Sequence, residues 1–205
     1  ELVPLPPTVF ARLARAGRSA ALVLAGKWDG VGRLCGTRAG DVETAIEGGA
    51  VKFRHFDARD ASADAMLDCT RAALGHVGEL LGTAGPDVVA LYVDAIDTAG
   101  HTEGFGPEVP AYMRSIADVD ALLAPVLAAI RGDAAAWQVL VTTDHGGTAR
   151  RRMPPEMWRA FGDCACVQQG IAQTGLQGVH GLRELPQHTQ TFFIVSGGEG
   201  LDVGE

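Results

Sequence analysis

The chain has 205 residues, of which 47% are hydrophobic and 20% charged, enough for one substantial core in an ordinary globular composition. A formal net charge of -8 argues against an extended nucleic-acid or anionic-membrane surface. No apolar stretch reaches the roughly 18 residues of a membrane-crossing helix, and the opening ELVPLPPTVF lacks the charged-then-apolar pattern of a signal peptide.

Taken in order, PPTVFARLARAG predicts a short helix, with Pro7 and Thr8 at its start and Gly17 at its end. SAALVLAG follows as an apolar run of strand length. The glycines of KWDGVGRLCGTRAG do not fit G-x-G-x-x-G, so a dinucleotide site has little support. His55 sits in a charged stretch, KFRHFDARD, with no companion ligand. Asp60 to Leu81 predicts a helix, with Met66, Leu67, Leu74, Val77, Leu80 and Leu81 at helical spacing. His76 lies inside that run and reads as a surface or packing residue. PDVVALYVD predicts a strand buried on both faces.

Pro107 to Ile130 carries the clearest periodicity, an apolar stripe that includes Val109, Met113, Ile116, Val119, Leu123 and Val126, interrupted by Pro125. WQVLVTTD is a third strand, Met153 to Phe161 a short helix and TFFIVSG a fourth strand. The basic run Arg150-Arg151-Arg152 reads as a solvated loop or a contact for an anionic substrate. Cys35, Cys69, Cys164 and Cys166 contain no C-x-x-C pair and read as packing residues, which leaves the compartment open. Strands alternating with helices, without repeats or a strong linker, predict a single domain over residues 1–205. Its class is α/β, a mostly parallel central sheet flanked by helices on both faces.

In such sheets ligands bind beyond the carboxyl ends of the strands. Asp94, Asp97 and His101 follow the second predicted strand, and Asp144 and His145 follow the third, in VLVTTDHGG. Two strands thus deliver carboxylate and imidazole to one sheet edge. These ligand types suit zinc and related dications, which keep Asp ionised and the ligating His nitrogen neutral. The TAG between Asp97 and His101 is expected to turn the chain so that both converge on one ion. Gly146-Gly147 is expected to supply the permissive backbone that curls Asp144 and His145 inward. Asp94 is set aside as a turn or supporting residue. His180 and His188 both precede the fourth strand, and either completes a three-ligand set with Asp97 and His101.

YVDAIDTAGHTEGFGPEVPAYMRSIADVDALLAPVL, then VLVTTDHGG, then VHG…TQTFFIVSGG resemble the alkaline-phosphatase superfamily, most closely its type I phosphodiesterase/nucleotide pyrophosphatase branch. The resemblance implies a metal-dependent hydrolase of phosphoric esters, with two divalent ions, usually zinc, and a phosphoester or nucleotide-like substrate. One ion is then held by Asp97, His101 and a third histidine. The other is held by Asp144 and His145 with an upstream Asp and an upstream Ser or Thr nucleophile. The family's H-G frame favours His180 over His188.

The chain also departs from the family. The strand bearing the first metal-binding Asp and the nucleophile turn normally precede PTVF, so they are expected upstream of Glu1, in cis or as a second fragment. No C-x-P-x-R sulfatase motif is present either, since CGTR at Cys35 lacks the proline. A non-catalytic structural or interaction subunit derived from the superfamily is therefore the competing expectation, and a phosphomutase-like relative a third.

Overall fold

Seven consecutive buried residues, AALVLAG, form β1 (Ala20–Gly26), the centre of a parallel sheet of order β2-β1-β3. The structure, a computed structural model, describes residues 7–27, 46–58, 62–82, 85–132, 137–149, 152, 177–181 and 185–196. The glycine-rich segment after Lys27, the helix expected over Met153 to Phe161, Arg150, Arg151 and three of the four cysteines lie outside these residues. The chain divides into two compact units, Glu1–Ala95 with Leu122–Val126 and Ile96–Ala121 with Leu127–Glu205.

In the first unit, β2 (Val51–Asp57) and β3 (Val88–Val93) pair with β1 in parallel, and Leu22 of β1 sits between Phe53 and Ala90. A strand paired on both edges and covered on both faces has no place for polar side chains, hence the unbroken apolar run. α1 (Val9–Arg15) starts where the Thr8 hydroxyl accepts from the Ala11 N–H at 3.2 Å, and ends before Gly17 at φ 66°. Its Phe10 joins Ala20, Leu22, Leu24 and Val51 in the core. α2 (Ala63–Leu81) packs on β1 and β2 and buries Met66, Ala73, Leu74, Val77 and Leu80. Thr70, also buried on this face, turns its hydroxyl back to the Met66 carbonyl at 3.0 Å. The Ser62 hydroxyl caps α2 through the Ala65 N–H at 3.3 Å. Ser62→Ala is therefore expected to lower stability by about 1 kcal/mol, measurable by urea or thermal unfolding.

Two features of this unit differ from the sequence expectation. β2 hides in the charged stretch KFRHFD: its side chains alternate, with Lys52 and Arg54 exposed between the better-covered Val51, Phe53 and His55, the signature of a half-solvated strand. β3 is half-buried along its whole length rather than buried on both faces, because β1 is its one partner among the described residues.

The second unit takes in most of α3 (Ala95–Glu103) and of α4 (Pro110–Arg131), which opens on Pro110 rather than at the expected Pro107 and continues through Pro125. Val109, Val119 and Val126 of the apolar stripe are buried, whereas Met113 is exposed. The third and fourth predicted strands, β4 (Val139–Thr142) and β7 (Phe193–Ser196), pair with each other antiparallel. β5 (Thr148–Ala149) and β6 (Gly178–Val179) form a second antiparallel pair, and α5 (Pro186–Thr189) precedes β7. The chain is thus α/β, with a parallel three-stranded sheet and two antiparallel ribbons. Among the described residues no helix is long and apolar enough to cross a membrane.

Candidate metal centre

Asp97 and His101 lie one helical turn apart on α3, not in a loop as the TAG spacer suggested. Positions i and i+4 share a helix face, and His101 Nε2 stands 3.4 Å from Asp97 Oδ2. The β5–β6 ribbon brings in the third group. Thr148 pairs with Val179, and the chain leaving β6 presents His180, whose Nε2 is 3.5 Å from Asp97 Oδ1. The end of α3 is tied to the same segment: Gln177 N–H donates to the His101 carbonyl at 2.8 Å, and His101 Nδ1 lies 3.0 Å from the Gly178 carbonyl oxygen. With its proton on Nδ1, His101 donates there and keeps its Nε2 lone pair toward Asp97.

The loop after β4 adds Asp144 and His145. The His145 ring stacks on His180 at 3.7 Å between centroids and 19° between planes. Its Nε2 lies 3.9 Å from Asp97 Oδ1 and 3.7 Å from Asp144 Oδ1, while Asp144 remains largely exposed. The structure therefore gathers all five sequence-derived candidates, Asp97, His101, Asp144, His145 and His180, within one unit.

Asp97, His101 and His180 each offer a ligand atom within 4.8 Å of the others. At zinc–ligand distances near 2.0–2.1 Å, two ligand atoms of a tetrahedral site stand about 3.3 Å apart. The 3.4 and 3.5 Å separations around Asp97 match that spacing. Asp97 Oδ1 is buried and makes no hydrogen bond among the described residues. A buried carboxylate oxygen left this way is costly without a cation, so the donor set fits a divalent ion.

Burial pushes the His180 pKa down to about 4; His145 and His101 push the same way, while Asp97 and Asp144 oppose them. Its imidazole is thus held neutral, the form that ligates metal. In the unfolded chain the group titrates near 6.5, so the unfolded state binds more protons between those two values. The stability of the chelator-treated protein is expected to be full above pH 6.5, to fall as pH drops, and to stop falling on this account below about 4. Thermal unfolding across that range checks it, and a His180→Gln variant should flatten the profile. Burial also lowers the His188 pKa, with His145 adding to it, and burial raises that of Tyr112, with Asp97 adding to it.

His188 lies on α5, only 3% exposed, and its carbonyl accepts the Gly146 N–H at 3.3 Å. It stands beside His145 rather than in the group of Asp97, His101 and His180. Neither Gly146 nor Gly147 has a positive φ. They are needed for room instead. A Cβ on Gly146 would collide with the Gln187 carbonyl oxygen, and one on Gly147 with the Phe105 ring. Asp94 belongs to the first unit: it is buried, accepts the Lys27 N–H at 3.1 Å and donates its own N–H to Ala25. That is the turn-supporting role. His55 and His76 stay outside the centre, the former 3.1 Å from the Gly26 carbonyl oxygen and the latter beside Glu79. Sequence reasoning missed Phe105, whose ring touches those of His101 and His180. The available signal was a lone aromatic set among Gly100, Gly104 and Gly106.

The chain is α/β, and its second unit holds a cluster of carboxylates and imidazoles. The family can be stated: the profile of type I phosphodiesterase / nucleotide pyrophosphatase matches residues 12–158, and the chain belongs to that family. Among solved structures it is similar to an inactive variant of murine ectonucleotide pyrophosphatase / phosphodiesterase 5 in complex with AMP, at 19% identity and a TM-score of 0.45. That alignment covers 72% of this chain and 37% of the murine one, so the chain spans well under half the length of that relative. Among curated proteins none matches the chain.

Proposed function

We propose that the protein is a metal-dependent hydrolase of phosphoric esters, of the phosphodiesterase or nucleotide pyrophosphatase type. The observation that carries this proposal is Asp97 Oδ1, buried without a hydrogen bond among the described residues and faced by the Nε2 atoms of His180 and His145. Family membership supplies the reaction class and the nucleotide-like substrate. Asp97, His101 and His180 hold one divalent ion, zinc by ligand type, and Asp144 and His145 belong to a second. Such ions, when bound, neutralise phosphoryl oxygens and lower the pKa of the attacking group. The chain's own residues provide the rest. The Gly178 carbonyl orients His101, the His145–His180 stack fixes two rings at once, and burial keeps His180 deprotonated. Exposed Asp144 marks the side open to solvent and to substrate.

The test is hydrolysis of bis(p-nitrophenyl) phosphate by the natural full-length protein, with and without chelator, alongside elemental analysis. Stoichiometric metal and chelator-sensitive turnover are the expected results. Absence of stoichiometric metal defeats the proposal at its base. Metal without turnover of diesters or monoesters favours the structural or interaction subunit instead.

A further inference from the structure

Phe105 is 5% exposed and lies just beyond the end of α3, yet it does not sit in an ordinary aliphatic core. Three ring systems surround it. Its centroid is 5.5 Å from that of His101 at 79°, 6.1 Å from that of His180 at 86°, and 5.5 Å from that of Tyr112 at 64°. These are edge-to-face arrangements, the preferred geometry of aromatic pairs. Backbone also lies against the ring. A Cβ built on Gly100 of α3, Gly147 of the loop after β4 or Gly178 of β6 would come under 3.0 Å from the ring. Three separate segments thus give up their side chains at the one place where the ring meets them.

We infer that Phe105 is a positioning residue for the metal ligands, fixing the planes of the His101 and His180 imidazoles. The inference rests on the assignment of these histidines, with Asp97, as ligands. The torsion that turns an imidazole is broad, so the ring's plane is set by what surrounds it rather than by rotamer preference. His101 Nδ1 is tethered to the Gly178 carbonyl, and that glycine itself lies against Phe105. The same ring therefore holds both the imidazole and the acceptor that selects its tautomer. His180 is held between the parallel face of His145 and the perpendicular ring of Phe105. An aliphatic side chain of similar bulk fills the space but offers neither a flat face nor an edge. Both Nε2 atoms then swing away from Asp97. Tyr112, packed on a third side, keeps Phe105 itself from turning.

Zinc titration calorimetry on the metal-stripped full chain tests this with Phe105→Leu and, as a control, Val119→Ala, a buried residue of α4 in the same unit. Phe105→Leu is expected to weaken zinc binding by about ten- to a hundredfold, the range seen when groups supporting metal ligands are changed. It should also alter the visible absorption of the cobalt(II)-loaded protein, which reports ligand geometry. Val119→Ala is expected to lower the unfolding temperature and leave zinc affinity and the cobalt spectrum as they are. Wild-type affinity and spectrum in Phe105→Leu overturn the inference while leaving the metal assignment intact. Parallel losses in both variants reduce Phe105 to a packing residue and overturn it too. A wild-type chain that binds no zinc removes the ligand assignment itself, and the inference with it. Should Phe105→Leu fail to fold, 4-fluorophenylalanine placed at residue 105 of the otherwise unchanged chain gives the second readout. Its fluorine resonance should shift on zinc addition; a resonance indifferent to saturating zinc counts against the positioning role.

Discussion

Asp97→Asn is expected to weaken divalent-metal binding by more than about a hundredfold, beyond what a change in a merely supporting group costs. Asn keeps the shape and removes the charge. The carboxylate is the one anion of the cluster that faces three imidazole Nε2 atoms, at 3.4, 3.5 and 3.9 Å. Without its charge, the neutral donors that remain hold a dication poorly. The effect on stability should depend on the metal. In the loaded protein, bound zinc at a thousandfold excess over its Kd contributes about 4 kcal/mol, of which a hundredfold loss of affinity removes about 2.7 kcal/mol. In the chelated protein the sign changes or vanishes, because a buried carboxylate oxygen without a hydrogen bond is itself a cost of about 1–3 kcal/mol. Thermal unfolding with zinc and with chelator separates the two. Equal destabilisation in both conditions shows Asp97 to be a structural residue, and the metal proposal fails there.

The difference between sequence and structure follows from which information is local. β1, α1 and α2 were legible because a seven-residue apolar run, a Thr8 start and a 3.6-residue stripe are written in consecutive residues. β2 was not, because half-solvated strands carry charges such as Lys52 and Arg54 that resemble a loop. Nor does a run such as VLVT declare its partner. β4 was expected in the parallel sheet, and its antiparallel pairing with β7 depends on residues more than fifty positions away.

The same division runs through the site. Asp97, His101, Asp144 and His145 were nameable because ligand chemistry is a property of residue type and order, whereas His180 was separated from His188 only by the resemblance's H-G frame. Their convergence rests on non-local contacts: the β5–β6 ribbon that delivers His180, the His145–His180 stack and the tether from His101 to Gly178. Glycine was the residue most easily misread. Gly100, Gly146 and Gly147 looked like hinges for a turning backbone. In the structure they are places where a side chain or a carbonyl from elsewhere comes too close for a Cβ. A sequence shows that a glycine is there, not which of its two uses applies.

His180 and His188, eight residues apart and indistinguishable by type, should respond in opposite ways to alanine. His180 Nε2 lies 3.5 Å from Asp97 Oδ1 and its ring is partly open to solvent. His180→Ala is therefore expected to abolish one equivalent of bound metal, with a fall in affinity of more than about a hundredfold, and to change chelated stability little. It removes a group whose main cost is desolvation, the first cause of its lowered pKa. His188 is 3% exposed on the short helix α5, close to His145. His188→Ala leaves a void where an imidazole was packed, and is expected to cost roughly 2 kcal/mol of stability with the metal equivalents retained. Elemental analysis of the purified variants gives the stoichiometry, and chelated unfolding gives the stability. The reverse pattern, metal lost from His188→Ala and kept in His180→Ala, moves the third ligand to α5. Small, equal losses in both leave His145, 3.9 Å from Asp97 Oδ1, as the remaining imidazole able to complete the set with His101.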